Sequence, residues 1–159
     1  MYKTLSLSIL STIVIGCSST TALKHFDKSE FESKAMQYTK KADVIINKEQ
    51  KVLLWGTYLN NTDITEFDSK DEVFVTSIYF VEEKSQDINE NGYFFTLNGK
   101  KPKSIEEIQT DNEKYKDILS KNTWGKYYLV KFNEVKDSYD LTFTLSNTNS
   151  NSAELKFEK

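Results

Sequence analysis

The 159-residue chain has a formal charge of −3 and is 13% aromatic, enough apolar material for one core and too much for wholesale disorder. Its 21 basic side chains are all lysines, in no dense run, so the basic field and arginine forks of nucleic-acid recognition are missing. The single histidine, His25, excludes a multi-histidine zinc site or a Ser–His–Asp arrangement, and five glycines form no phosphate loop.

In chain order, Lys3 precedes an apolar run from Leu5 to Ile15, followed by Gly16, the only cysteine (Cys17) and the polar stretch "SSTT". That is the charged, apolar, small-residue layout of a secretory signal. The run is too short for a spanning helix, which needs about 20 apolar residues. "VIGC", Val14 to Cys17, resembles a bacterial lipobox. The resemblance implies cleavage before Cys17 and acylation of Cys17, with two or more chains giving lasting attachment at ~0.8 kcal/mol per buried CH₂. Ser18 in place of Asp implies the outer membrane. The expected organisation is a signal peptide over 1–16, a lipidated tether over 17–28 and one domain over 29–159. With Cys17 lipidated, no disulfide can form within the domain.

Ser29 and Glu32 fit a capping box, which predicts a short helix near Ser29–Lys34; a strand follows near Gln37–Ile46. β-branched and aromatic residues predict further strands over Val52–Leu59, Val73–Val81 and Tyr93–Gly99, the last ended before Pro102. Ser104 and Glu107 form a second capping box, and Ile105, Ile108, Tyr115 and Ile118 or Leu119 make an interrupted stripe, so a helical insertion is expected there. Trp124–Phe132 returns to strand, and Leu141, Phe143, Leu145, Leu155 and Phe157 alternate in a closing hairpin around "NTNSNS".

About seven strands at this spacing predict an antiparallel, immunoglobulin-like β-sandwich, with Trp55 and Trp124 expected in its core. "VLLWGTYLNN" and the run from "WGKYYLVKF" to the C-terminal hairpin resemble small outer-membrane lipoproteins of epsilon-class proteobacteria that carry immunoglobulin-like domains. With the anchor and no catalytic signature, the expected function is a lipid-anchored binding, scaffolding or adhesion module, periplasmic or surface-facing, whose partner is an envelope or host protein or peptidoglycan.

Three features bear on chemistry. "DINENG" places Asp87, Asn89 and Asn91 as the opening half of a calcium loop, but the twelfth position is Asn98 instead of Glu; it reads either as a weak calcium site or as a polar turn. The strand "VFVTSIYFV" is apolar on both faces, so its second face is covered by the chain's own insertion or by a partner. Tyr79, Tyr127 and Tyr128 are the candidate binding tyrosines, since Tyr combines an apolar ring with a wet hydroxyl. No cofactor and no enzymatic activity are expected. The alternatives are a weak calcium-dependent adhesion module acting through Asp87–Asn91 and a carboxylate-dependent envelope glycan hydrolase, which needs a cleft with two facing carboxylates, one of them in an apolar setting.

Cys17→Ser is expected to abolish lipid labelling and to release the protein from the membrane fraction. Unchanged labelling and fractionation would rule the anchor out.

Overall fold

The computed structural model describes residues 30–62, 70–116, 118–119 and 124–159. Cys17, His25 and Ser29 lie outside them, as does the expected signal and tether. Helix α1 (Glu30–Gln37) leads into eight strands: β1 (Thr39–Ile46), β2 (Glu49–Tyr58), β3 (Glu72–Phe80), β4 (Tyr93–Leu97), β5 (Ser104–Ile108), β6 (Lys126–Phe132), β7 (Asp140–Asn147) and β8 (Ser152–Glu158). They form two antiparallel sheets, β1-β2-β3-β6-β5 and β4-β7-β8, packed as a β-sandwich. No helix among the described residues is long and apolar enough to cross a membrane.

The alternation read in the C-terminal hairpin sets which face is buried. Leu141, Phe143 and Leu145 on β7 and Ala153, Leu155 and Phe157 on β8 point inward. They meet Val52, Leu54 and Tyr58 on β2, Phe74, Ile78 and Phe80 on β3, and Tyr128, Val130 and Phe132 on β6. Phe74 lies at the centre, with ring centroids 4.9 Å from Tyr58, 4.9 Å from Phe143, 5.3 Å from Phe157 and 6.0 Å from Phe132. At Gly56 the facing sheet packs tightly: a Cβ would sit 2.6 Å from Leu155 Cδ1.

Helix α1 runs further than the capping box alone predicts, because Ala35 is buried and Thr39 Oγ1 donates to its carbonyl at 2.7 Å. The insertion after Pro102 departs more. Ser104–Ile108 is a strand, not a helix, paired with β6 from Ser104↔Lys131 to Ile108↔Tyr127. Pairing satisfies the edge of β6, and Glu107 reaches Lys126 Nζ at 2.8 Å. A helix continuing from there would run through Asp111 and Asn112, both poor helix formers. Instead Asn112 Oδ1 accepts the Lys114 N–H at 3.0 Å in a local turn.

The stripe read as helical still does the covering. Ile108, Tyr115 and Leu119, with Ile118 partly buried, pack on Leu59, Val73, Val75, Tyr127 and Leu129. The second face of the apolar strand β3 is therefore covered in part by the chain's own turn-rich segment.

One buried carboxylate stands at the edge of the core. Glu72 is 2% exposed; Tyr58 Oη donates to it at 2.5 Å, the Val135 N–H at 2.9 Å and Lys159 Nζ at 2.6 Å. Lys159 Nζ also donates to the Val135 carbonyl. Burial, then the Glu72 carboxylate, push the Tyr58 phenol far above its ordinary value. The network joins β2, β3, the loop before β7 and the end of β8.

The β1–β2 hairpin turns on two residues, Asn47 and Lys48, with φ of 54° and 70°. Both central residues at positive φ suit Asn-Gly, and a lysine there carries a backbone penalty. Lys48→Gly is expected to stabilise the protein by about 1 kcal/mol, read as a raised Tm in thermal unfolding. An unchanged or lowered Tm would contradict this account of the turn.

Candidate ligand-binding face

The outward face of the five-stranded sheet follows from the register. One row across it reads Lys41, Trp55, Ser77, Tyr127 and Ile108; the adjacent row reads Asp43, Leu53 and Tyr79. Ile108, Tyr115, Ile118 and Leu119 form a cap over the β6 side of this face, while Leu53, Trp55 and Tyr79 toward β2 are half-buried. Trp55 is half-buried there, with Lys41 Nζ 5.4 Å from its ring centroid. Trp124 is 74% exposed, its ring 6.5 Å from that of half-buried Tyr79. Gly125 permits this placement, since a Cβ there would collide with the backbone carbonyl of Ile78.

The tryptophans are thus not where the sequence placed them. Neither fills the core between the sheets: Trp55 lies on the outer face and Trp124 is largely in solvent. Two of the three candidate tyrosines are corrected in the opposite sense. Tyr127 and Tyr128 are 2% and 3% exposed, because both faces of β6 are covered. Tyr127 is held beneath the cap. Tyr128 points between the sheets, edge-on to Phe95 at 6.1 Å, and its Oη accepts the Ile88 N–H at 3.3 Å. Burial pushes its phenol up. Tyr79 alone of the three reaches the accessible part of the face.

Between the sheet and the cap lies a small cavity of about 60 Å³. Thr39, Trp55, Thr57, Val75, Ser77, Ile118 and Tyr127 line it. Thr39 donates to the Ala35 carbonyl at 2.7 Å, so the 2.7 Å Thr39–Thr57 contact has the Thr57 hydroxyl as donor. Ser77 is 5% exposed, and its buried Oγ makes no hydrogen bond among the described residues. A buried hydroxyl without a partner costs roughly 1–3 kcal/mol. Beside Trp55, Lys41 Nζ lies 3.2 Å from Asp43 Oδ1, and Gln50 Nε2 donates to Asp43 Oδ2 at 2.7 Å. The local charges therefore cancel.

The Asp87–Gly92 loop uses its polar groups internally. Asp87 Oδ1 accepts the N–H of Asn89 at 2.8 Å and of Glu90 at 3.3 Å. Its Oδ2 faces Lys126 Nζ at 3.4 Å. The Asn91 carboxamide donates to the carbonyls of Ser85 at 2.9 Å and Asp87 at 2.8 Å, while Asn89 is exposed. Gly92 takes the positive φ, 70°, that the turn requires. Among the described residues no group of three or more His, Cys, Asp or Glu is placed to hold a metal.

A larger open cleft, about 410 Å³, lies where β1 passes β8, lined by Tyr38, Lys40, Asn61, Tyr139, Phe157 and Lys159 among others. Beside it a second cleft carries Asp140 and Glu158, cross-strand neighbours that are both exposed. Among the described residues the carboxylate in an apolar setting is Glu72, whose two oxygens are bound as above. Comparison of the chain with protein-family models, with curated proteins and with solved structures gives no match.

Burial raises the Asp87 carboxyl, but the N–H groups of Asn89 and Glu90 and the Lys126 ammonium outweigh it, holding it below the usual carboxylate value. A depressed folded-state pKa contributes stability that is fully present above the unfolded value of about 3.9 and is lost as pH falls through the folded one. Stability is therefore expected to fall on acidification below about pH 4, and Asp87→Asn should weaken that dependence. Asp87→Ala, which also removes the turn acceptor, should cost about 1 kcal/mol at pH 7. Denaturant unfolding of both variants at several pH values checks this; identical pH profiles for wild type and Asp87→Asn would contradict it.

Proposed function

We propose that this chain is a lipid-anchored binding module of the bacterial cell envelope, held by Cys17 at the outer membrane and engaging its partner through the outward face of the five-stranded sheet. The observation that carries the reading is the exposed Trp124, its ring beside that of Tyr79, on the same sheet face that presents half-buried Trp55 and that the cap covers only in part. Large aromatic side chains with one polar atom are the residues that binding surfaces concentrate. The lipobox resemblance supports the anchor and the outer-membrane location.

The immunoglobulin-like reading belongs here as well. Taking β2 to β8 as strands A to G, the sheets read A-B-E-D and C-F-G, the constant-type order, with β1 added at the edge beside A. In such a sandwich a binding surface is set by what a sheet face or a loop end exposes, since the fold itself dictates no ligand.

Trp124→Ala and Tyr79→Ala are expected to reduce partner capture in intact cells, read by crosslinking with mass spectrometry. Trp124→Ala should change unfolding stability by no more than about 0.5 kcal/mol, as for other surface substitutions. A crosslink map that places every contact on the three-stranded sheet would overturn the assignment of the face.

A further inference from the structure

We infer that the cavity beside Trp55 is a subsite for the acetamido group of an N-acetylated amino sugar, so that the partner of this face is a glycan carrying N-acetyl groups. The inference rests on the binding face proposed above and names what binds there. Four observations converge on it.

The first is size. A cavity needs roughly 10–15 Å³ to hold one water, and pockets for whole drug-sized ligands run to about 300–1,000 Å³. At about 60 Å³ this cavity takes a substituent of a few heavy atoms and no complete sugar ring.

The second is the composition of the wall. Trp55, Val75 and Ile118 provide an apolar enclosure suited to a methyl group. A hydroxyl that is both donor and acceptor stands among them unused: Ser77 Oγ, buried and without a partner among the described residues. An acetamido group is a methyl joined to one acceptor and one donor, so a single entrant fills the apolar space and satisfies the orphan hydroxyl. A purely apolar side chain of a partner protein would leave Ser77 unsatisfied.

The third is charge. Lys41 and Asp43 neutralise each other beside Trp55, and Gln50 completes their contact. Charged side chains are absent from the described cavity wall, so nothing in it selects an ion, which suits a neutral substituent.

The fourth is the neighbouring row of the same face. It carries Tyr79, two residues along β3 from Ser77, with the exposed Trp124 ring beside it. The C–H faces of a pyranose ring stack on aromatic rings, so a sugar whose substituent enters the cavity has aromatic surface on which the adjoining residues of the chain can lie.

The test is a titration of the purified full-length protein with N-acetylglucosamine oligomers, followed by tryptophan fluorescence and by saturation-transfer NMR. The same oligomer without acetyl groups and a glucose oligomer of equal length serve as comparisons. Saturable binding of the N-acetylated oligomer, with the methyl protons receiving the strongest transfer, is the expected result. Ser77→Ala should weaken it about tenfold while leaving Tm equal or higher, because the orphan hydroxyl is removed. A residue needed only for structure would lower Tm instead. Ser77→Val, which fills the cavity, should abolish binding in a folded protein. Equal binding of all three oligomers would overturn the acetamido subsite while leaving a glycan-binding face. Absence of saccharide binding, with crosslinks to a protein still mapping to Tyr79 and Trp124, would overturn the inference and leave the proposed face standing. Absence of both would overturn the two together.

Discussion

The sandwich depends on aromatic contact across its two sheets. Phe74 on β3 touches Tyr58 beside it and Phe143 and Phe157 opposite, and Phe132 closes the group from β6. With a single cysteine in the chain there is no disulfide within the domain to share the task. A buried phenylalanine is worth roughly 1.5–3 kcal/mol in transfer terms, and aromatic pairs add about 0.5–1.5 kcal/mol each. Gly56 lets Leu155 and Phe157 pack against β2 beside these rings, where a Cβ would meet Leu155 at 2.6 Å. The Glu72 network then closes the adjoining edge, where the end of β8 would otherwise leave the core.

The outer face of the larger sheet divides into two halves with different physical roles. On the β6 side, Ile108, Tyr115 and Leu119 form a satellite core over Val73, Val75 and Leu129. Beyond that cover, Trp55 on β2, Tyr79 on β3 and Trp124 just ahead of β6 remain half-buried or exposed. The cavity lies at the border between them, which is why its wall mixes core residues with surface ones. Placement at such a border gives a site rigid walls on one side and access on the other.

The strands were legible wherever one face alternates. Leu141 to Leu145 and Ala153 to Phe157 carry period-two signals that place them without reference to the rest of the fold. The segment after Pro102 was misread, because a capping box and an interrupted stripe are local signals, whereas the unpaired edge of β6 is a tertiary one. Of its apolar residues, Ile108, Tyr115, Ile118 and Leu119 do pack over β3, whereas Ile105 is 42% exposed. Tyr127 and Tyr128 were read as accessible on the strength of their hydroxyls, yet a strand covered on both faces buries neighbours of either parity. Trp55 and Trp124 were read as core on composition. Gly125 was the available signal for Trp124: a glycine directly after a tryptophan and before an apolar strand suggests close backbone approach. Ser77 had none, since an orphan hydroxyl is recognised only after its neighbours are in place.

The β1–β2 hairpin has a mechanical consequence. The chain enters β1 at Thr39, the end of the ladder farthest from the turn at Asn47 and Lys48. That open end is held by the Tyr58 N–H on the Tyr38 carbonyl at 3.1 Å and by the Thr39–Thr57 hydroxyl contact. Fraying of the edge strand from there loosens Thr39, part of the cavity wall, before it reaches Val44 in the core, whereas at the other terminus Lys159 is held on the buried Glu72.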